Sequence, residues 1–128
     1  MNILLIDDDE VTNYINKRIF KLVYPDANIV VAYHGIEALS ILSENMKNNG
    51  PVFDYILVDI SMPEMDGWEF IDEVATDKYK SQHESKFVML TSSVFDDDIL
   101  KAKSKPLIKK FYSKPIDKEK ILELKELL

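Results

Sequence analysis

Three stretches of this chain are apolar at four consecutive positions and then stop on a polar or acidic residue. They are Ile3-Leu4-Leu5-Ile6 before Asp7, Tyr55-Ile56-Leu57-Val58 before Asp59, and Phe87-Val88-Met89-Leu90 before Thr91. Their length and their β-branched or aromatic content read as strands, and continuous rather than alternating apolarity predicts strands covered on both faces, as in a parallel sheet. Ile29-Val30-Val31 predicts a shorter strand, and Leu107 to Tyr112 a more polar one that suits an edge.

Between these runs the period changes to that of a helix. Val11, Ile15, Ile19 and Leu22 fall on one stripe that ends near Pro25. Gly35 opens a second helix with Leu39, Leu42 and Met46 as its stripe, stopped by Asn48-Asn49-Gly50-Pro51. Trp68, Ile71 and Val74 mark a third. Asp77 to Lys86 reads as a polar connector without periodicity. Asp96, Asp97 and Asp98 suit the first turn of a fourth helix, where acids meet the positive end of the dipole. That helix carries Ile99, Leu100 and Ala102 and closes at Pro106. Asp117 to Leu128 predicts the last, with Ile121, Leu122 and either Leu124 or Leu128 inward. Five strands alternating with five helices imply right-handed crossovers and an α/β, three-layer sandwich, one domain over residues 1–128.

Composition narrows the function. A net charge of -7 disfavours a broad phosphate-neutralising surface, so direct nucleic-acid binding is not expected. No cysteine is present, hence no disulfide framework or thiolate metal site. No segment approaches membrane-spanning length and no signal peptide precedes the first strand, so a cytoplasmic protein is expected.

The chemistry-bearing residues all follow strands: Asp7 and Asp8 the first, Asp59 the third, Thr91 the fourth and Lys114 the fifth. In a parallel sheet those ends share one edge, where open α/β sheets place their sites. Three carboxylates brought together either raise one another's pKa or hold a hard divalent cation, and an all-oxygen donor set suits Mg2+. A cation, a lysine and a hydroxyl around a carboxylate nucleophile fit phosphoryl transfer to that carboxylate.

ILLIDDDE at 3–10, ILVDISMPEMDGWEF at 56–70, VMLTSS at 88–93 and FYSKP at 111–115 together resemble the receiver domains of two-component response regulators, the family of the bacterial chemotaxis regulator, over nearly the whole chain. The resemblance implies a flavodoxin-like fold with strand order 2-1-3-4-5. It implies Asp59 as phosphoacceptor, Asp8 as a direct Mg2+ ligand, Asp7 assisting, and the Ser61 backbone carbonyl as a further ligand. It makes Thr91 the switch hydroxyl, Phe111 the switch aromatic and Lys114 the partner of the phosphate, with a cis Lys114-Pro115 bond. The implied phosphodonor is a sensor histidine kinase or a histidine phosphotransfer protein. Output would pass through the fourth helix, fifth strand and fifth helix to a protein partner, or to an output domain missing from this chain.

The chain departs from the family pattern at Lys103-Ser104-Lys105-Pro106-Leu107, where Gly-Ala is common, and at Ser92, often alanine. Ser61 and Ser93 fall at positions that resemble the family's tuners of dephosphorylation. His34 and His83 read as solvated loop residues. Two rival readings stand beside the receiver. Asp7-Asp8-Asp9-Glu10-Val11 resembles the opening motif of haloacid-dehalogenase-type phosphatases, with Asp7 as nucleophile, but the chain has no room for a cap. The other rival is a pseudo-receiver that binds partners without phosphorylation, against which stands the complete set of Asp7, Asp8, Asp59, Thr91 and Lys114.

Overall fold

A computed structural model describes residues 1–92 and 95–128. The strands are β1 (Asn2–Ile6), β2 (Asn28–Ala32), β3 (Tyr55–Asp59), β4 (Lys86–Thr91) and β5 (Ile108–Ser113). They alternate with α1 (Glu10–Val23), α2 (Gly35–Lys47), α3 (Gly67–Val74), α4 (Asp96–Lys103) and α5 (Lys118–Leu124). All pairings are parallel and the order is β2-β1-β3-β4-β5. The expected architecture and strand order are both present.

The continuous apolar runs occupy the centre of the sheet because their residues serve two cores at once. Leu4, Ile6, Ile56, Val58, Phe87 and Met89 pack on one face with Leu42, Phe70, Ile71 and Val74. Ile3, Leu5, Tyr55, Leu57, Val88 and Leu90 pack on the other with Phe20, Ile121 and Leu124. The alternation follows from the two-residue period of a strand. Each such side chain gains about 1.5–3 kcal/mol from burial. β2 and β5 are the edges and are only half-buried along most of their length.

Helix starts follow the local chemistry. Asp9 caps α1 by accepting from Val11 N–H, and Asp66 with Glu69 forms a reciprocal capping box on α3. Asp96, Asp97 and Asp98 lie in the first turn of α4 as expected.

Several expectations are corrected. Three of the four residues of the α1 apolar stripe face outward, Val11, Ile15 and Leu22 being 63%, 44% and 73% exposed, while Ile19 is partly buried and packs against the core. Asn13, Asn16 and Phe20 point inward instead. They lie about 140–200° around the helix from Val11 at 100° per residue, and docking against the sheet selected the face with Phe20 and the two amides. Leu122 is exposed, whereas Ile121 and Leu124, three residues apart and so on one helix face, are buried; a 3-10 segment over Lys125–Leu127 follows α5. The connector after α3 is ordered rather than featureless: Asp77–Gln82 forms a 3-10 segment that buries Tyr79 and Gln82. His83 is partly buried rather than a free loop residue, its Nε2 lying 2.6 Å from the Val74 carbonyl oxygen. His34 is half-exposed but acts as the cap of α2, its Nδ1 accepting from Glu37 N–H at 3.1 Å. Ser93 lies outside the described residues.

Candidate functional site

Parallel pairing brings the carboxyl ends of β1, β3, β4 and β5 to one edge, and ladder bonds beyond the strands fix the loops there. Asp7 N–H donates to Ala32 O at 3.1 Å, Ile60 N–H to Leu90 O at 3.0 Å, and Lys114 N–H to Thr91 O at 2.7 Å. Residues distant in sequence therefore share one cleft.

Asp7 and Asp59 are 3% and 4% exposed, and Asp8 is open to solvent. One carboxylate oxygen from each of the three lies within 4.8 Å of the others. Lys114 bridges the two buried acids, with Nζ 2.6 Å from Asp7 Oδ2 and 3.1 Å from Asp59 Oδ1. Asp7 Oδ1 also accepts from Asp9 N–H at 2.9 Å, and Asp59 Oδ1 from Ser61 N–H at 3.3 Å. Ser61 thus sits at the rim of the cleft. The Lys114-Pro115 bond is cis.

Burial, and then the charge of Asp7, push the Asp59 carboxyl up to about 6, against the pull of Lys114 and the Ser61 N–H. Burial alone would lower the Lys114 ammonium, but its bonds to the two carboxylates outweigh that and raise it. Three acids facing one lysine leave the cleft short of positive charge. Its donors are all hard oxygens, two of them held in place by hydrogen bonds, a set that fits Mg2+.

Thr91 is buried at the end of β4, directly opposite Ser113 in register. Phe111 stands opposite Met89, two positions back along the same ladder, so Thr91 and Phe111 project on the same side of the sheet. Phe111 is half-buried against the α2–α4 core and lies outside the acidic cleft. All the site residues expected from sequence except Phe111 therefore gather at one edge.

Asn13 and the packing role of Gly67 were not legible in the sequence. Asn13 of α1 donates from Nδ2 to the Asp7 carbonyl at 2.8 Å and is itself buried. Its only sequence signal is a polar residue on a helix face, which the competing apolar stripe obscures. Gly67, at the start of α3, packs so closely beneath the site that an added Cβ would lie 2.5 Å from the Asp59 carbonyl oxygen and 2.9 Å from Ile60 Cα.

Among the described residues no helix is long and apolar enough to cross a membrane. The response regulator receiver domain model matches residues 3–126. The chain is 34% identical over 96 residues to the sensor histidine kinase CheAY of Helicobacter pylori, covering 75% of this chain and 11% of that protein. It is 28% identical over 123 residues to the hybrid signal transduction histidine kinase L of Dictyostelium discoideum, covering 95% and 7%. It therefore spans about a tenth of these relatives. Among solved structures, a two-component response regulator from Cytophaga hutchinsonii superposes with TM-score 0.90 at 28% identity, covering 98% of this chain and 93% of that one. One from Legionella pneumophila gives 0.84 at 30%, covering 99% and 96%. Motifs, strand order and family match agree, and the chain belongs to the response regulator receiver domain family of two-component signalling.

Proposed function

We propose that residues 1–128 act as one phosphoacceptor domain, in which Asp59 receives a phosphoryl group from a phosphohistidine. The donor is a sensor histidine kinase or a histidine phosphotransfer protein, a reading supported by the histidine kinases among the relatives. The observation that carries it is the bridge of Lys114 between buried Asp7 and Asp59, with Asp8 within reach of both. In the transfer a bond forms from an Asp59 carboxylate oxygen to phosphorus as the phosphorus–nitrogen bond of the donor breaks, and the imidazole keeps the electron pair and takes a proton. Asp7, Asp8, Asp59 and the Ser61 carbonyl would hold Mg2+, which when bound supplies positive charge to the transferring oxygens. Lys114, 3.1 Å from Asp59 Oδ1, would follow the new charge, and Thr91, buried at the end of β4, would offer its hydroxyl to it. Phe111 moves inward as Thr91 is drawn to the phosphoryl group, and the surface of α4, β5 and α5 changes with it. That surface meets a protein, on a separate chain or as a further domain, and the setting is cytoplasmic.

The family match and the intact Asp7, Asp8, Asp59, Thr91 and Lys114 set favour this over the dehalogenase-type phosphatase and the pseudo-receiver. The test is intact-protein mass after incubation with Mg2+ and acetyl phosphate. A phosphoryl adduct on wild type that vanishes in Asp59→Asn is expected. Continuous phosphate release that survives Asp59→Asn but not Asp7→Asn would instead mean a phosphatase. No adduct and no turnover in a folded, Mg2+-binding protein would leave a phosphorylation-independent module.

A further inference from the structure

The three carboxylates of the cleft are not held equally. Asp7 is fixed at both oxygens, Oδ1 by Asp9 N–H at 2.9 Å and Oδ2 by Lys114 Nζ at 2.6 Å. Asp59 Oδ1 accepts from Ser61 N–H at 3.3 Å and lies 3.1 Å from Lys114 Nζ. The Asp8 carboxylate is open to solvent and has neither a hydrogen bond nor an ion pair among the described residues. Yet one of its oxygens lies within 4.8 Å of the other two acids. The position of Asp8 therefore depends on the backbone that carries it. That backbone is tied down from α1. Asn13, in the first turn of the helix, donates from Nδ2 to the Asp7 carbonyl oxygen at 2.8 Å. This carbonyl belongs to the rigid Asp7–Asp8 peptide plane, so the bond sets the orientation of the unit from which Asp8 departs. No backbone N–H among the described residues donates to the same oxygen.

We infer that Asn13 is a positioning residue of the cation site: by holding the Asp7 carbonyl it aims the otherwise unsupported Asp8 carboxylate at the point shared with Asp7 and Asp59. The inference rests on the reading of Asp59 as a Mg2+-dependent phosphoacceptor. It adds a residue that acts only through Asp7 and Asp8. A buried amide could also serve stability alone, as a tie between helix and loop. Its energetics argue otherwise. Asn13 is 2% exposed, and its Oδ1 has no hydrogen-bond partner among the described residues. Leaving a buried acceptor unsatisfied costs about 1–3 kcal/mol, which an apolar residue such as Phe20 on the same face avoids. The amide is worth that cost where its donor is needed, and the donor is spent on the Asp7 carbonyl. Asn16 supplies the internal comparison. It is 3% exposed on the same face and makes no side-chain hydrogen bond to the Asp7–Asp9 turn among the described residues.

The experiment titrates Mg2+ alone into the 15N-labelled full chain and reads its affinity from the amides of residues 7–9. Asn13→Leu is expected to bind Mg2+ about tenfold more weakly, the lower end of what partners behind metal ligands contribute. Asn16→Leu is expected to match wild type. The decisive measurement is a double-mutant cycle with Asp8→Asn. If Asn13 works by aiming Asp8, then Asn13→Leu changes the remaining affinity of Asp8→Asn by less than about twofold. A tenfold loss in both backgrounds would mean general damage to the fold and would overturn the inference. So would an unchanged affinity in Asn13→Leu, or an equal loss in Asn16→Leu. Urea unfolding in chelator accompanies each variant, and Asn13→Ala carries the same cycle if Asn13→Leu does not fold. Phosphorylation by acetyl phosphate is read separately. A wild type that binds Mg2+ but takes no phosphoryl group would refute the phosphoacceptor reading while leaving the Asn13 cycle intact. A phosphorylated wild type whose Mg2+ affinity ignores Asn13 would refute the inference alone.

Discussion

Replacing Asp59 by asparagine should make the metal-free protein more stable at neutral pH, against the usual cost of altering a buried site. Asp59 titrates near 6 in the folded chain against an ordinary value of 3.8. The folded state therefore binds this proton more tightly than the unfolded one. Stability from this group is complete below about pH 4, falls as pH rises, and is lost above about pH 6. At about 1.36 kcal/mol per pKa unit, a displacement of roughly two units amounts to about 3 kcal/mol at pH 7.5. The figure already includes the opposing pull of Lys114, and at 4% exposure the carboxylate has little solvent to screen it. Asparagine copies the shape of the protonated acid without the charge, and Lys114 keeps its bond to Asp7. Urea unfolding in chelator, followed by Trp68 fluorescence, should show the variant more stable by about 2–3 kcal/mol at pH 7.5 and nearly level with wild type at pH 4. Adding Mg2+ to wild type should narrow the gap. A variant no more stable at pH 7.5, or one whose advantage is equal at both pH values, would refute the argument from buried charge.

Gly67→Ala should cost about 1–3 kcal/mol and slow phosphorylation, because its Cβ meets the backbone of Asp59 and Ile60, which cannot yield as a side-chain tip would; an unchanged melt and adduct rate would contradict this. Lys114→Met should tighten Mg2+ binding about tenfold in calorimetry. A unit charge pair at 4 Å is worth about 4 kcal/mol at an effective dielectric near 20, and the ammonium competes with the cation for Asp7 and Asp59; weaker binding would show that Lys114 organises the carboxylates rather than competing for them. On α1, Leu22→Ala should change stability by no more than about 0.5 kcal/mol, whereas Phe20→Ala should cost about 3–5 kcal/mol. Denaturant titration giving the two similar costs would restore the inward apolar stripe.

The contrast on α1 shows where reading a sequence stops. Ile3 to Ile6, Tyr55 to Val58 and Phe87 to Leu90 could be placed without a structure, because a run apolar at every position is satisfied only by a strand covered on both sides. Asp7, Asp59 and Thr91 were legible for the same reason, since each follows such a run; Lys114 follows the more polar edge strand, and parallel strands share one functional edge. Both inferences rest on local periodicity and the handedness of the chain, which every stretch carries within itself.

Helix α1 offered two faces, one with Val11, Ile15, Ile19 and Leu22 and one with Asn13, Asn16 and Phe20. Hydrophobicity alone favours the first. Docking chose the second, because Phe20 fills the core beside Tyr55 while Asn13 reaches the Asp7 carbonyl across the loop. The segment around Tyr79 was likewise polar by composition yet buries its ring and brings His83 onto the Val74 carbonyl. The Lys114–Asp7 ion pair joins residues 107 positions apart. The sequence by itself determined which segments become strands and which acids stand at their ends, since those follow from neighbours along the chain. Tertiary structure alone decided which helix face turns inward and which charges pair or remain unpaired, since those depend on what distant segments bring into contact.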